Sequence, residues 1–321
     1  MCRNTSIDLV KVIAMIMIVA MHTNIDSIIE TDSYSGYTIC ISTTCGIAIP
    51  LFFMVSGYLI SLKEVSLRYI LKKEWGIIRF VCIVTTIYLI YEFCYIGIYS
   101  IEDYYLWFIQ HGPFWQFWYL GSMMIMYLLS PFLNKMIISE KIYWYCFSIM
   151  GISFIAFILN LYVGFEQDII QTFLLWEWCM YYLIGGTIRK NQDLFFLIPQ
   201  TYLFLLLAVL IIMYRFLYSL CGIGNQYLFG SGICALYAIV LFVLILKTEV
   251  SEKVTGGGKL FLPVYTIHIG IIHYLGRYIH VLGGYPSTIR YGVYFIVFLI
   301  VSVAISLILL KIPLIDKIFK L

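Results

Sequence analysis

Three ionisable residues lie close together at the start of the chain, Asp8, Lys11 and His22, although the stretch from Val10 to Asn24 is otherwise apolar. Lys11 and His22 are eleven positions apart, almost three whole turns of an α-helix, so both side chains project from nearly the same face. Asp8 precedes Lys11 by three residues and extends that face. An imidazole can accept a hydroxyl proton, and an ammonium group can bind an anion. The spacing therefore indicates a helix with one face suited to chemistry.

The composition identifies the solvent around this helix. Hydrophobic residues make up 63% of the chain and charged residues 12%, and the mean hydropathy is +0.97. A soluble domain of 321 residues cannot bury that much apolar surface, so lipid must cover a large part of it. The first apolar stretch lacks a small-residue cleavage site and others follow it, so we expect a membrane span rather than a signal peptide. We predict an all-α polytopic membrane protein.

The apolar stretches are long enough for about ten transmembrane helices. We predict spans over Ile7–Asn24, Ser42–Leu62, Trp75–Tyr99, Gln116–Met136, Ile142–Tyr162, Ile169–Ile188, Leu194–Phe216, Gly230–Leu246, Leu260–Leu282 and Tyr291–Ile312. The connecting segments are short, so we expect one integral-membrane domain over residues 1–321 and no separate soluble domain.

The charged residues between the spans predict the orientation. With the N-terminus inside, the inner loops and tail hold Lys63, Arg68, Lys72, Lys73, Lys135, Lys141, Arg189, Lys190, Lys247, Lys253, Lys259, Lys311, Lys317 and Lys320. The outer loops then hold mainly Asp26, Glu30, Asp32, Glu102, Asp103, Glu166 and Asp168. Basic residues favour the cytoplasmic side, so we predict that both termini are cytoplasmic. We expect a multi-pass protein of the plasma or bacterial inner membrane.

Other ionisable residues fall inside the predicted spans, where a charge at the bilayer centre costs about 2.5–3.5 kcal/mol. Such residues usually face the bundle interior; here they are Arg79, Glu92, Glu177, His268, His273 and Arg277. Some have structural interpretations. Asp8 and Lys11 could form an ion pair that anchors the first helix. Arg79 could extend to the interface, and Glu177 could pair with a neighbouring helix.

The sequence contains no pattern typical of a metal site. His268 and His273 are five positions apart, which places them about 140° apart on a helix and argues against a shared metal ion. The segment TGGGK, Thr255 to Lys259, lacks the Walker A pattern, and we interpret it as a flexible inner loop. We expect neither a metal cofactor nor a nucleic-acid partner.

Several motifs follow one another along the chain. SIDLVKVIAMIMIVAMH contains a lysine, ten further residues and a histidine, and PLFFMVSGYLI has the form FF-x-x-SG-x-x-I. Later come RYILKKEWGIIRF, FWYLGSMMIMYLLSPFL, YYLIGGTIRK and LPVYTIHIGII. In order and spacing these segments resemble the acyltransferase-3 family, whose integral membrane enzymes O-acylate bacterial surface polysaccharides and related acceptors. Family members commonly carry two arginines three apart before the third span, where this chain has Lys72, Lys73 and then Arg79.

The resemblance implies a reaction and roles for the candidate residues. The donor would be cytoplasmic acyl-CoA, usually acetyl-CoA, and the acceptor a hydroxyl of a polysaccharide or lipid-linked glycan. We assign His22 as the general base or, alternatively, as an acyl carrier. Residues expected to bind or orient the donor are Asp8, Lys11, Lys72, Lys73 and Arg79. Residues expected to line the cavity or contact the acceptor are Ser56, Glu177, Tyr265 and His268.

Two other interpretations stay open. Buried charges and glycine or proline interruptions within the spans also suit a transporter, for amino-acid uptake or solute export. A non-catalytic scaffold within a polysaccharide assembly complex would need no reactive histidine. Transfer of an acyl group to glycan would favour the enzyme, and solute flux without acyl transfer would favour the transporter.

Overall fold

A computed structural model describes residues 5–23, 41, 43–61, 63–95, 112–222, 225–249, 257–276 and 287–319. Within these ranges the chain forms α-helices and short 3-10 turns and contains no strand. The α-helices are α1 (Thr5–His22), α2 (Ala48–Ile60), α3 (Leu67–Tyr95), α4 (Trp118–Ile138), α5 (Ile142–Val163), α6 (Leu175–Lys190), α7 (Gln192–Phe196), α8 (Gln200–Cys221), α9 (Gly232–Leu246), α10 (Phe261–Gly276), α11 (Ser287–Lys311) and α12 (Pro313–Phe319).

Six helical segments in the described part of the chain are long and apolar enough to cross a membrane. They are Thr5–His22, Thr43–Ile60, Trp115–Ile138, Ile142–Val163, Gln200–Cys221 and Thr288–Lys311. The helices α9 and α10 are apolar but shorter. The prediction of an all-helical membrane architecture is confirmed for the described residues, whereas ten crossings and cytoplasmic termini stay predictions.

Some helix boundaries differ from those predicted. The helix α6 begins at Leu175 rather than Ile169, because two 3-10 turns, Phe165–Asp168 and Gln171–Phe173, precede it. The span predicted to begin at Leu194 is divided into α7 and α8. The division falls at Pro199, which lacks an amide hydrogen and favours an extended residue before it.

The centre of the protein is the contact between α2 and α6. A Cβ atom on Gly57 would lie 1.9 Å from the carbonyl oxygen of Tyr182, and one on Gly185 would lie 2.0 Å from that of Met54. Only glycine permits so close an approach of two helix backbones. In the most apolar part of the second span, 72% of the residues are buried inside the protein. The corresponding buried fraction for α8 is 17%. The surface of α8 therefore faces lipid, and α2 lies in the core.

Polar contacts hold the ends of the central helices. The side-chain amide of Asn134 donates to the carbonyl oxygen of Ile60 over 3.0 Å and accepts a hydrogen bond from the Tyr182 hydroxyl over 3.1 Å. The ammonium group of Lys190 donates to the carbonyl oxygens of Ile138 and Ser139, which satisfies two acceptors at the end of α4. Lys190, a basic residue of the predicted inner face, therefore supports the fold.

The helix α1 is held against α10 and α11 by a second apolar cluster, formed by Met15, Val19, Val264, Ile272, Tyr294 and Phe298. The Tyr291 hydroxyl also donates to the carbonyl oxygen of Ala20 over 2.6 Å. These contacts fix the last turn of α1, where His22 lies.

Candidate functional site

The His22 side chain lies at the end of α1 and faces α10. Its ring centroid is 5.3 Å from that of His268 and 5.2 Å from that of Trp115, whose ring it meets nearly edge-on at 77°. Because α1 is continuous from Thr5 to His22, the helix predicted from the spacing of Lys11 and His22 is confirmed.

His268 is fully buried, with 0% of its surface exposed. Its Nδ1 atom lies 3.0 Å from the carbonyl oxygen of Val264 and 2.8 Å from that of Tyr265. Carbonyl oxygens only accept hydrogen bonds, so Nδ1 carries a proton. The Nε2 atom has no hydrogen-bond partner among the described residues. In its neutral form His268 therefore leaves an acceptor free beside His22.

A cavity of about 340 Å³ lies next to His22, and we call it the His22 cavity. Its walls are Ile18, Met21, His22, Ile49, Phe52, Trp115, Gln116, Trp118, Tyr119, Gln171, Phe229 and Tyr265. Most of these side chains are apolar or aromatic, with a few polar groups between them, which is the composition typical of small-molecule sites.

Two amide side chains supply the polar groups of this wall that sequence reasoning missed. Within the described part of the chain, the Gln116 Oε1 atom and both polar atoms of the Gln171 amide are buried without a hydrogen-bond partner. The Gln116 backbone oxygen accepts a hydrogen bond from the Tyr265 hydroxyl, which fixes both residues at the wall. Buried amides without partners are uncommon, so these two suit a polar ligand.

A second cavity of about 260 Å³ lies further along the Lys11 face of α1, and we call it the Lys11 cavity. Its walls are Lys11, Phe52, Val55, Ser56, Leu59, Lys73, Ile77, Tyr119, Met123, Tyr127, Phe261, Leu262 and Phe319. The Asp8 carboxylate lies 3.6 Å from the Lys11 ammonium group, so this ion pair exists at the start of α1. The cavity thus combines two ammonium groups with apolar and phenolic walls.

The structure separates the basic residues expected to bind a donor. Lys73 lines the Lys11 cavity together with Ile77, four residues later on α3. Lys72 and Arg79 are exposed and line neither cavity. Because they are seven residues apart, they share one face of the helix, about 100° around the axis from Lys73. Among the three candidates on α3, the geometry favours Lys73 for contact with a bound molecule.

The remaining candidates divide between the two cavities and the core. Ser56 lines the Lys11 cavity, and its hydroxyl donates to the carbonyl oxygen of Phe52 over 3.0 Å. Tyr265 lines the His22 cavity. Glu177 is fully buried but lines neither cavity. The side chain of Glu92 and the whole of Arg277 lie outside the described residues.

A separate acidic region surrounds Glu177. A Cβ atom on Gly230 would lie 3.3 Å from the Oε1 atom of Glu177. The neighbouring Glu166, in the turn before α6, accepts a hydrogen bond from the Trp176 indole over 3.1 Å. Burial raises the pKa of the Glu166 carboxyl above its ordinary value, and the Trp176 hydrogen bond opposes that rise. Among the described residues, no three His, Cys, Asp or Glu side chains are grouped so as to hold a metal ion.

The glycine segment before α10 packs against α1. A Cβ atom on Gly258 would lie 2.3 Å from the Asp8 Oδ1 atom, and one on Gly257 would lie 2.6 Å from the Val12 Cγ2 atom. The described part of the predicted flexible loop, Gly257–Lys259, is therefore a packed 3-10 turn. A larger residue at Gly258 would require the Asp8 carboxylate, which is paired with Lys11, to shift.

The fold and these cavities define a multi-pass membrane protein with a histidine at the wall of an internal cavity. The chain belongs to the Acyl_transf_3 family, whose model, described as an acyltransferase domain, matches residues 4–311. The family resemblance of the motifs is thus confirmed, and family membership makes the protein a membrane acyltransferase. Searches of curated proteins and of solved structures each found no match to this chain.

Proposed function

We propose that the protein transfers an acyl group, first of all acetyl, from cytoplasmic acyl-CoA to a hydroxyl of a surface polysaccharide or lipid-linked glycan. The observation that carries this proposal is the pair of cavities along α1, one with two lysines and the other with His22. Acyl transfer from CoA needs a cationic site for phosphates and a base for the attacking hydroxyl.

The Lys11 cavity suits the donor. CoA carries its phosphates at one end and its thioester at the other, so the cations must lie some distance from the reacting carbon. Lys11 and His22 are separated by about 16 Å along α1 at a rise of 1.5 Å per residue. Phosphates near Lys11 and Lys73 would leave the pantetheine arm to extend toward His22.

The His22 cavity suits the acceptor and the reaction. In the proposed step the acceptor hydroxyl oxygen attacks the thioester carbonyl carbon while the His22 imidazole takes the hydroxyl proton. The tetrahedral intermediate then collapses, the C–S bond breaks, and the proton passes to the departing CoA sulfur. In this proposal the oxyanion of that intermediate would accept a hydrogen bond from the side-chain NH2 group of Gln171, which lines the cavity and has no partner among the described residues. The indoles of Trp115 and Trp118 suit a sugar ring.

The direct test is acyl transfer in isolated membranes. Membranes with and without the protein receive radiolabelled acetyl-CoA, and the glycan fraction is then treated with mild alkali, which cleaves O-esters. We expect label in the glycan only when the protein is present, and its release by alkali. Absence of label from every glycan and lipid-linked fraction would contradict the proposal.

A transporter is the second candidate, because a cavity within a helix bundle that also contains buried ionisable residues suits a solute-binding site. Vesicle uptake or export measured in the same membranes separates the two candidates. Protein-dependent flux of a solute without acyl transfer would favour the transporter.

The role of His22 within the enzyme can be decided separately. If His22 carries the acyl group, the protein incubated with labelled acetyl-CoA and no acceptor accumulates one labelled acyl group that His22→Gln does not accumulate. If His22 acts as a general base, no labelled protein forms and label appears only in the acceptor.

A further inference from the structure

The two cavities are neighbours that share part of their walls. Phe52 and Tyr119 line both cavities, whereas Phe261 lines only the Lys11 cavity and Tyr265 only the His22 cavity. We call these four side chains the ring layer. These side chains therefore lie where the two cavities adjoin.

The rings of this layer are in contact with one another. The Phe52 centroid is 4.2 Å from that of Phe261 and 5.8 Å from that of Tyr119. The centroid of Tyr265 lies 5.8 Å from those of both Tyr119 and Phe261. Packed aromatic pairs have centroids about 4.5–7 Å apart, so no gap as wide as an acyl chain lies between these rings.

The members of the layer differ in what holds them. The Tyr265 hydroxyl donates to the carbonyl oxygen of Gln116. Tyr119 packs against the Phe53 ring at 5.2 Å and the Trp118 ring at 6.4 Å, outside the layer. Phe52 and Phe261 have no polar group, so their rings can turn without breaking a hydrogen bond. The Phe52–Phe261 pair is therefore the part of the layer that can open.

We propose that Phe52 and Phe261 form a movable barrier between the two cavities, and that the opening they leave restricts transfer to short acyl groups. The selection of acyl length rests on the proposed acyltransferase function, whereas the barrier itself does not. A thioester bound beside Lys11 must pass this pair to reach His22. With the pair closed, water in the His22 cavity is kept from the thioester, which prevents its hydrolysis.

The barrier is tested by cysteine labelling, which requires no acyl transfer. Ile49→Cys places a thiol in the His22 cavity and Leu59→Cys places one in the Lys11 cavity. A membrane-impermeant thiol reagent is added to one face of sealed vesicles at a time, and the unsubstituted chain gives the background from its native cysteines. We expect each new thiol to react from one face only, the two from opposite faces. Adding Phe52→Ala should make Ile49→Cys react from both faces.

Two results would overturn the barrier. One is reaction of Ile49→Cys from both faces while Phe52 and Phe261 are present. The other is unchanged labelling when Phe52→Ala or Phe261→Ala is added. The matched control is Phe242→Ala, which removes a fully buried ring on α9 that lines neither cavity. This control should leave the labelling pattern unchanged.

Acyl selection is tested with acetyl-, butanoyl- and hexanoyl-CoA as donors. One methylene in an apolar pocket changes a rate by about tenfold or more, so we expect acetyl to be preferred over butanoyl by at least about tenfold. Phe52→Leu and Phe261→Leu should each reduce this preference by about tenfold, and Phe242→Leu should not change it.

The two parts of the proposal can fail separately. If acetyl transfer is retained but the ratio of acetyl to butanoyl transfer is the same in all four proteins, the selection is overturned. If the wild type transfers no acyl group from any CoA, the proposed function and the selection fail together. The labelling result then still decides the barrier.

Discussion

The two cavities share Phe52 and Tyr119, but the lysines line one cavity and the histidine and side-chain amides line the other. The Lys11 cavity contains two ammonium groups, and the His22 cavity contains an imidazole and two side-chain amides. One helix face, that of α1, contributes the first lysine to one cavity and the histidine to the other. Under the proposed function, this difference would put binding of the anionic donor in the Lys11 cavity and proton transfer in the His22 cavity.

This separation depends on the packing of α2, which reaches both cavities. Its Phe52 lies at the boundary, its Ser56 lines the Lys11 cavity, and its Ile49 lines the His22 cavity. Some substitutions should therefore change both cavities, and others should change one cavity alone.

The largest effect is expected from Gly185→Ala, which should disrupt both cavities together. The new Cβ atom would lie 2.0 Å from the Met54 carbonyl oxygen, so α2 and α6 must move apart. We expect destabilisation of about 3 kcal/mol, the upper end for overpacked cores, measured as thermal unfolding in detergent.

Gly151→Ala on α5 is the matched control, because its Cβ atom would have nothing within 4 Å. It should leave stability unchanged or raise it by about 0.5–1 kcal/mol, since alanine favours helix over glycine. Equal destabilisation by the two variants would show that the close α2–α6 contact is not what holds the cavities.

Replacing either lysine of the Lys11 cavity should affect only the binding of the donor. Lys11→Ala and Lys73→Ala should each raise the KM for acetyl-CoA by about tenfold, because each removes a charge-assisted contact with phosphate. Their kcat at saturating donor should change much less. Lys72→Ala removes an adjacent but exposed lysine and should leave KM nearly unchanged. An equal increase for Lys72→Ala would contradict the orientation of α3 described above.

A smaller change is expected at the C-terminal helix α12, which lies beyond the residues matched by the family model. Phe319 lines the Lys11 cavity, and its ring centroid is 5.5 Å from that of Phe80. Phe319→Ala removes an aromatic wall of the donor site, and loss of such a contact with the bound donor is worth about 1 kcal/mol, so the donor KM should rise about fivefold. Leu314→Ala, at a position 72% exposed, is the control. A larger effect on kcat than on KM would contradict this assignment.

The smallest effect is expected for a substitution of Glu166, which lies outside both cavities. Its pKa is raised above the ordinary value of 4.5 by burial, so the folded protein binds this proton more tightly than the unfolded chain. Stability should therefore decrease as pH rises from about 4.5 through the raised value. Glu166→Gln keeps an acceptor for Trp176 and should remove this part of the pH dependence. At pH 7 the Tm of this variant should be about 2 °C above that of the wild type.

The control for this measurement is Asp168→Asn, because Asp168 is exposed in the same turn. Unfolding curves from pH 4 to 8 should show the reduced slope only for Glu166→Gln. If Glu166→Gln instead alters the pH profile of catalysis, the acidic region is coupled to the His22 cavity.

The parts of the site that depend on one helix could be predicted from the sequence. Helix periodicity alone places Lys11 and His22 on one face, and the structure retains that helix. The choice between Lys72 and Lys73 could not be predicted, because adjacent residues differ by 100° and a loop motif does not fix which face packs inward. Arg79 is seven residues after Lys72 and lies on the same exposed face as Lys72.

Other features gave no signal in the sequence. Gln116 and Gln171 are uncharged and belong to no motif, so only their burial without partners identifies them. Of the ring layer only Tyr265 was predicted, because 23 phenylalanines and 28 tyrosines leave the other aromatic residues without a distinguishing signal. Gly57 and Gly185 did lie in quoted motifs, but the backbone contacts that require glycine appear only in three dimensions.

The central claim is that His22 performs the proton transfer while Lys11 and Lys73 hold the donor. The most direct measurement is acetyl transfer to glycan by wild type, His22→Ala and His273→Ala at matched expression, with acetyl-CoA binding measured in parallel. His273 is the control because it is an exposed histidine on α10 that lines neither cavity. We predict that His22→Ala reduces the transfer rate by about a hundredfold or more with donor binding unchanged, and that His273→Ala retains both. Wild-type rates in His22→Ala would contradict the claim.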